Sequence, residues 1–317
     1  MGGVTAAATT MTFSDPVSAE HVPGESVSGE SAPGATTDVA DDVLAERLLA
    51  ACRATGPMVV AFSGGVDSAL LAVAADRALP DQAWVATADS ASLAQGELDH
   101  CRDFAQRWQL QWQSAATSEL DDDRYLANDG DRCFWCKSAL MDQLQPIADE
   151  RGATVVLGVN VDDLGDHRPG QDAARQRGAR FPMVDAGFTK AHVRQLAKAW
   201  GLEVWDRPAM PCLSSRIPYG TAVTVPLLSK IDRAEAALRK LGFGDVRVRH
   251  YADTARIELP APELVRAAEI ADQLVSAVTG AGYRYVTLDL AGLRSGNLNG
   301  ALAKEANREA NRTDRVG

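Results

Sequence analysis

The first forty residues contain no lysine or arginine, but they include five acidic residues, Asp15, Glu20, Glu25, Glu30 and Asp38. The whole chain of 317 residues carries a formal net charge of -11 at pH 7. Such an acidic chain lacks the broad positive surface that attracts nucleic acid, although net charge does not describe a single cleft. We therefore expect no nucleic-acid partner.

Long hydrophobic runs are also missing. No stretch approaches the roughly 20 apolar residues that a membrane-spanning helix requires. The N-terminus lacks the basic segment and the apolar core of a secretory signal. The chain has only five cysteines, and this odd number does not indicate a disulfide framework. We expect a cytoplasmic protein with reduced thiols and no membrane partner.

The chain divides into two folded units and two tails. Residues 1–38 are rich in Ala, Thr, Ser, Pro and Gly and show no periodicity, so we predict a disordered tail there. Residues 39–221 and 222–298 are the two predicted domains. The polar stretch 299–317 is predicted to be a frayed C-terminal tail.

Helical and strand patterns alternate in the first unit. Apolar runs at residues 58–62, 83–88, 110–115 and 154–159 are separated by helical segments, the third of them near residues 138–150. This alternation predicts an α/β fold with a doubly wound parallel sheet. After residue 220 the pattern becomes a helix at 227–241, strands at 246–251 and 255–259, a helix at 262–278 and a strand at 283–288. We expect a smaller C-terminal α+β domain there.

The first motif follows the strand at 58–62 and reads Ser63-Gly64-Gly65-Val66-Asp67-Ser68. Its glycines allow a sharp turn that aims backbone N–H groups and serine hydroxyls at an anion near a helix N-terminus. It is not a Walker A loop, because the Gly-Lys-Ser/Thr ending is missing. A plain strand-to-helix turn remains the simpler alternative.

The second motif combines three cysteines. Cys133 and Cys136 form a C-x-x-C pair, and Cys212 lies in a polar loop between Pro211 and Arg216. Zinc, a redox pair and an iron-sulfur cluster are all compatible with this pattern. A nearby cation such as Arg216 favours a thiolate or binds an anion. We therefore treat this loop as a candidate reactive site.

The third motif begins at Gly158, at the carboxyl end of the predicted strand at 154–159. It continues through Asp163 to Arg168. Open α/β sheets bind ligands at the carboxyl ends of their strands, so these residues are expected to share a crevice with the phosphate loop. A solvated acidic turn is the alternative.

The loop at residues 63–68 resembles the PP-loop superfamily of adenine nucleotide α-hydrolase-like proteins. Its members bind ATP and cleave it between the α and β phosphates. The resemblance implies ATP and Mg²⁺ as cofactors and places Asp67 near the metal as a catalytic residue. It also implies a set of nucleotide-binding residues, which comprises Ser63, Gly64, Gly65, Asp67, Ser68, Gly158, Asp163 and Arg168.

Taken together, the motifs resemble the LarE family of pyridinium-3,5-biscarboxylic acid mononucleotide sulfurtransferases, which act in nickel-pincer nucleotide cofactor biosynthesis. The resemblance covers residues 44 to 299 approximately. It implies an ATP-dependent, AMP-forming sulfurtransferase that converts an adenylated pyridinium carboxylate into a thiocarboxylate. Cys212 then handles sulfur, and Arg216 belongs to the same catalytic block. Arg247 and Arg249 match arginines that bind the substrate's phosphate, and alternation puts both on one face of a strand.

The family resemblance offers two sources of sulfur. In one branch the cysteine at the position of Cys212 gives up its own sulfur and becomes dehydroalanine. In the other branch, two further cysteines, here Cys133 and Cys136, join it in holding a [4Fe-4S] cluster. Because this chain has all three, we favour the cluster-dependent branch, supplied by sulfide or another sulfur donor.

Two other functions remain open. Some transfer-RNA thiolation enzymes combine the same phosphate loop with cysteines, but this chain is acidic and has no basic, aromatic-interleaved segment. A scaffold protein holding structural zinc would need a fourth ligand, and none of the five histidines has a convincing spacing. A homo-oligomer is compatible with the sequence.

Overall fold

The computed structural model describes residues 35–165 and 169–294 of the chain. Arg168, residues 1–34 of the predicted N-terminal tail, and the whole predicted C-terminal tail therefore lie outside the described residues. The first helix, α1, spans Ala35–Thr55. Its first four residues lie in the stretch 1–38 that the sequence predicts to be disordered, and the boundary between residues 38 and 39 stays a prediction.

A four-stranded parallel sheet forms the centre of the first unit. Its strands are β1 (Met58–Ala61), β2 (Ala83–Asp89), β3 (Gln111–Ala116) and β4 (Thr154–Leu157). They lie in the order β3-β2-β1-β4, with all three pairings parallel. The predicted α/β class is thus confirmed.

Helices cover the sheet and its connections. They are α2 (Val66–Ala78), α3 (Glu97–Arg107), α4 (Asp123–Leu126), α5 (Arg132–Glu150), α6 (Pro169–Gln176), α7 (Pro182–Asp185) and α8 (Lys190–Ala199). The sequence placed the start of α5 near residue 138, whereas the helix begins at Arg132. The C-x-x-C pair therefore lies in the first two turns of this helix.

The central strand β1 is buried on both faces, which explains its unbroken apolar sequence. Val60 packs into the same core as Leu70 of α2, while Val59 packs with Met141 and Leu144 of α5. Both valines are fully buried. Burying a side chain of this size contributes about 1.5–3 kcal/mol. These two layers fix the carboxyl end of β1, where the phosphate loop begins.

The second unit contains a small mixed sheet with helices around it. In chain order, the elements of this unit are α9 (Val225–Lys240), β5 (Arg247–Tyr251), β6 (Thr254–Glu258), α10 (Leu264–Glu269), α11 (Ala271–Gly280) and β7 (Tyr285–Leu288). Strands β5 and β6 pair antiparallel, and β6 and β7 pair parallel. The helix predicted at 262–278 is divided at Ile270 into α10 and α11.

The loop that carries Cys212 is attached to this second unit. Leu213, the first residue of a 3-10 turn, and Ile217, which follows that turn, pack in the same core as Leu228 and Ile231 of α9. The predicted domain boundary between residues 221 and 222 stays a prediction. Among residues 35–165 and 169–294, no helix is long and apolar enough to cross a membrane.

Candidate active site

The phosphate loop is held in shape by its own serines. The backbone N–H of Ser63 donates to Oγ of Ser68 over 3.1 Å, and the two hydroxyls lie 3.1 Å apart. Ser68 Oγ also donates to the carbonyl of Gly65 over 3.0 Å. Gly65 is the N-cap of α2, whose first N–H groups have no partner within the helix. The loop thus ends at a helix N-terminus with backbone donors available, as an anion site requires.

Two glycines in the predicted site allow close backbone approach. Gly64 has φ +72°, and a Cβ atom there would lie 2.9 Å from Sγ of Cys101. A Cβ at Gly158 would lie 2.8 Å from the backbone nitrogen of Ser68. Gly158 therefore works by letting the end of β4 pack against the start of α2. The sequence motif showed the glycine but not this contact.

Asp67 is held by two side chains from distant parts of the chain. Asn160 Nδ2 donates to one carboxylate oxygen over 3.0 Å, and Lys190 Nζ forms an ion pair with the other. Asp163 accepts a hydrogen bond from the backbone N–H of Asn160 over 3.2 Å. The carboxylate of Asp67 is therefore fixed beside a cation at the N-terminus of α2. Nothing in the sequence indicates that Lys190 lies near this loop.

A single cavity of about 310 Å³ joins the phosphate loop to two of the cysteines. Ser63 lies in its wall, together with residues at the carboxyl ends of β1 and β2. Cys136 from α5 and Cys212 from the segment between α8 and α9 line the same cavity. A larger groove of about 730 Å³ follows another face of α5 and contains neither the loop nor a cysteine. The smaller cavity is therefore the candidate active site.

Helix α5 and the Cys212 loop are tied together by a buried polar network. Arg132 donates to Oδ1 of Asn128 over 2.5 Å and to the carbonyl of Ser214 over 2.8 Å. Asn128 Nδ2 in turn donates to the carbonyls of Pro218 and Thr221, each over 2.8 Å. These bonds bring two segments about 80 residues apart to one place.

Arg216 supports the Cys212 loop from inside the protein. It is 1% exposed and donates through Nε to Glu235 over 2.8 Å. Its Nη1 donates to the carbonyl of Pro211 over 2.6 Å, and more weakly to that of Cys212 over 3.3 Å. All three guanidinium nitrogens thus have protein partners, the third being Glu235 again. This geometry makes Arg216 a positioning residue, and its predicted catalytic role stays a prediction.

The three cysteines interact electrostatically but are unequally placed. Cys133 is exposed, whereas Cys136 and Cys212 are partly buried. Burial, followed by the neighbouring Cys212, raises the pKa of Cys136 to about 12, and Cys133 adds to the effect. Within the described residues, no group of three or more Cys, His, Asp or Glu side chains is arranged to hold a metal ion. Convergence of the three cysteines on one cluster stays a prediction.

The two predicted phosphate-binding arginines differ in their surroundings. Arg249 is 3% exposed, bonds Glu258 over 3.0 Å through Nε, and donates to the carbonyl of Ser215 over 2.6 Å. Arg247 forms no ion pair with a carboxylate among the described residues. Burial, with Arg216 and Arg249 nearby, lowers the pKa of Arg247. Arg247 is thus the better placed of the two to receive an anion.

Sequence reasoning missed one buried carboxylate in the cavity wall. Glu119 is 2% exposed and accepts hydrogen bonds from Ser90 and Ser92 through Oε1. Its Oε2 has no hydrogen-bond partner in the part of the chain that the structure describes. A lone Glu after β3 carries no sequence signal, because only the fold places it beside the cavity.

The parallel sheet, the Ser-Gly-Gly-X-Asp-Ser loop and its placement after β1 define a PP-loop-type α/β protein. No family model matches the chain. Individual relatives do match it.

An uncharacterized protein of Synechocystis sp. is 44% identical over 78% of this chain and 93% of its own length. The pyridinium-3,5-bisthiocarboxylic acid mononucleotide synthase of Lactiplantibacillus plantarum is 38% identical over 81% of this chain and 94% of its own length. An uncharacterized protein of Methanocaldococcus jannaschii is 24% identical over 75% of this chain. The chain therefore belongs to the LarE family, as the Lactiplantibacillus synthase does, and is an enzyme.

Proposed function

We propose that this enzyme uses ATP to adenylate a carboxylate of a pyridinium mononucleotide and then transfers sulfur to the activated acyl carbon. The substrate class follows from the name of the Lactiplantibacillus relative, which makes a bisthiocarboxylic acid mononucleotide. The observation that carries the proposal is the single cavity lined by Ser63 of the phosphate loop and by Cys136 and Cys212.

The first step is formation of an acyl adenylate. A carboxylate oxygen of the substrate attacks the α-phosphorus of ATP, and pyrophosphate leaves with the electrons of the broken P–O bond. The N–H groups at the start of α2 bind the pyrophosphate oxygens, and Lys190 adds positive charge. Asp67 would hold Mg²⁺ there. Arg247 would hold the substrate's phosphate.

The second step transfers sulfur. A sulfur nucleophile forms a bond to the acyl carbon, the C–O bond to AMP breaks, and a thiocarboxylate results. The thiol of Cys212 lies in the wall of the cavity where this step would occur. Arg216 donates hydrogen bonds to the carbonyls of Pro211 and Cys212, and these bonds orient the backbone that carries the thiol.

For the sulfur source we propose a [4Fe-4S] cluster held by Cys133, Cys136 and Cys212. The donor chemistry fits, because three thiols are the ligands that iron-sulfur clusters use. Cys133 and Cys136 lie three residues apart on α5, so they share a helix face. With its fourth iron not held by the protein, such a cluster would supply a binding place for sulfide.

The test is to incubate anaerobically purified enzyme with ATP, sulfide and the pyridinium dicarboxylate mononucleotide. We expect AMP, pyrophosphate and thiocarboxylate in equal amounts. Asp67→Asn should abolish all three products without unfolding the protein, because the amide keeps the size of the side chain and the ion pair lost with Lys190 is partly exposed. AMP formation that needs transfer RNA, or thiolated nucleosides among the products, would overturn the proposal in favour of RNA thiolation.

A further inference from the structure

A half-buried arginine connects the phosphate loop to the segment that carries Cys212. Arg207 Nη2 forms a 2.7 Å ion pair with Glu97, the first residue of α3, and the two side chains are 23% and 12% exposed. Its Nη1 donates to the carbonyl of Gly64 over 3.3 Å. These two bonds join the segment after α8 to α3 and to the loop after β1. No step described so far uses Arg207.

The bond to Gly64 fixes the orientation of one peptide group of the loop. In a planar trans peptide the C=O and the N–H point in opposite directions, so a carbonyl held by Arg207 turns the N–H of Gly65 the other way. That N–H belongs to the donors at the start of α2 that an anion would use. Arg207 thus controls a phosphate-binding donor without needing to touch phosphate itself.

The surroundings of Gly64 leave little room for another arrangement. A Cβ atom at this residue would lie 3.1 Å from Cδ2 of His100 and 3.6 Å from Nη1 of Arg207. Burial and the charge of Arg207 lower the pKa of His100. The side chains of Cys101, His100 and Arg207 therefore surround Gly64, and Arg207 is the one that carries a permanent charge.

Arg207 also limits the freedom of the cysteine loop. Only four residues separate it from Cys212, and two of them, Pro208 and Pro211, have restricted backbones. The far end of the segment is held by the N–H of Leu213, which donates to the carbonyl of Ser92 over 2.8 Å. The position of the Cys212 thiol is thus linked to the phosphate loop through a short, stiff segment.

We propose that Arg207 is a positioning residue that holds the phosphate loop in its anion-binding conformation and ties it to the Cys212 segment. This inference rests on the proposed function. Glu97 then has a supporting role, because its carboxylate orients the guanidinium of Arg207 toward the carbonyl of Gly64.

The test is the ATP-dependent exchange of labelled pyrophosphate, measured with the pyridinium substrate at varied concentrations. Arg207→Gln should raise the KM for ATP tenfold or more, because a bond to a charged donor is lost, and leave the KM for the mononucleotide unchanged. Arg207→Lys keeps the charge and one of the two contacts, so it should recover part of the loss. Glu97→Gln should shift the KM for ATP in the same direction by a smaller factor.

Arg47 provides the matched control. Its Nη2 donates to the carbonyl of Ala186 and, over 3.4 Å, to that of Gly187, which has φ +65°; Arg47 therefore also holds backbone beside a glycine of positive φ, but it does not line the cavity. Arg47→Gln should leave both KM values within twofold. An unchanged KM for ATP in Arg207→Gln, or an equal rise in both KM values, would overturn the inference while leaving the proposed function intact. Absence of exchange in the wild type would reject the proposed function and this inference with it.

Discussion

Adding one methyl group at Gly158 tests how the carboxyl end of β4 positions the phosphate loop. A Cβ atom there would lie 2.8 Å from the nitrogen of Ser68 and 2.9 Å from the carbonyl carbon of Asp67. Both contacts are to backbone at the start of α2, so no side chain can rotate away. The strand and the helix must separate by about half an ångström to restore normal contact.

This displacement predicts two measurable effects of Gly158→Ala. Overpacking of this kind lowers the free energy of unfolding by about 1–3 kcal/mol, which urea denaturation measures. Misplacing catalytic groups by a fraction of an ångström should reduce kcat/KM for ATP–pyrophosphate exchange by ~10–100-fold. The loss of activity should exceed what the small unfolded fraction explains.

Gly244→Ala is the control for the added methyl group. No atom lies within 4 Å of a Cβ at this position, and the residue has no positive φ. We expect activity equal to that of the wild type and stability that is unchanged or slightly higher, because alanine restricts the unfolded chain. Wild-type stability and exchange in Gly158→Ala would refute the reasoning about close approach.

Three further predictions follow from the buried ion pairs and the cysteines. Glu235→Gln should lower the free energy of unfolding, measured by urea denaturation, by about 3 kcal/mol. The reason is that Arg216 is buried and would lose its charged partner. A loss under about 1 kcal/mol would contradict this prediction. Arg247→Gln should raise the KM for the mononucleotide but not for ATP, whereas Arg249→Gln should mainly reduce stability; equal kinetic effects of the two would contradict their different surroundings. Cys133→Ser should lose bound iron in metal analysis, and iron retained at the wild-type level would remove this thiol from the site.

The parallel sheet and the phosphate loop were predictable because their signals are local. An apolar strand, two glycines and a following helix lie within some 20 residues, and each element has its own periodicity. Thr189, directly before α8, is a similar local feature, because its Oγ1 accepts the N–H of His192 over 3.3 Å and caps the helix. These features depend on neighbours in sequence, which a single chain displays.

The partners of the charged residues were not predictable. Asp67 and Lys190 are 123 residues apart in sequence, and only the fold brings them together. Arg216 and Arg249 were expected to contact ligands. In the structure both are buried and form ion pairs with carboxylates, Arg216 with α9 and Arg249 with β6. A basic residue in a motif therefore does not reveal whether its charge faces a ligand or a buried carboxylate.

The intact mass of the protein after many turnovers tests the central claim most directly. Iron-loaded enzyme would be incubated with ATP, sulfide and the mononucleotide until the amount of thiocarboxylate formed greatly exceeds the amount of protein. Mass spectrometry would then give the mass of the protein and of the peptide that contains Cys212. The account predicts an unchanged mass, because the sulfur comes from a renewable source. Loss of hydrogen sulfide from Cys212, leaving dehydroalanine after a single turnover, would contradict it.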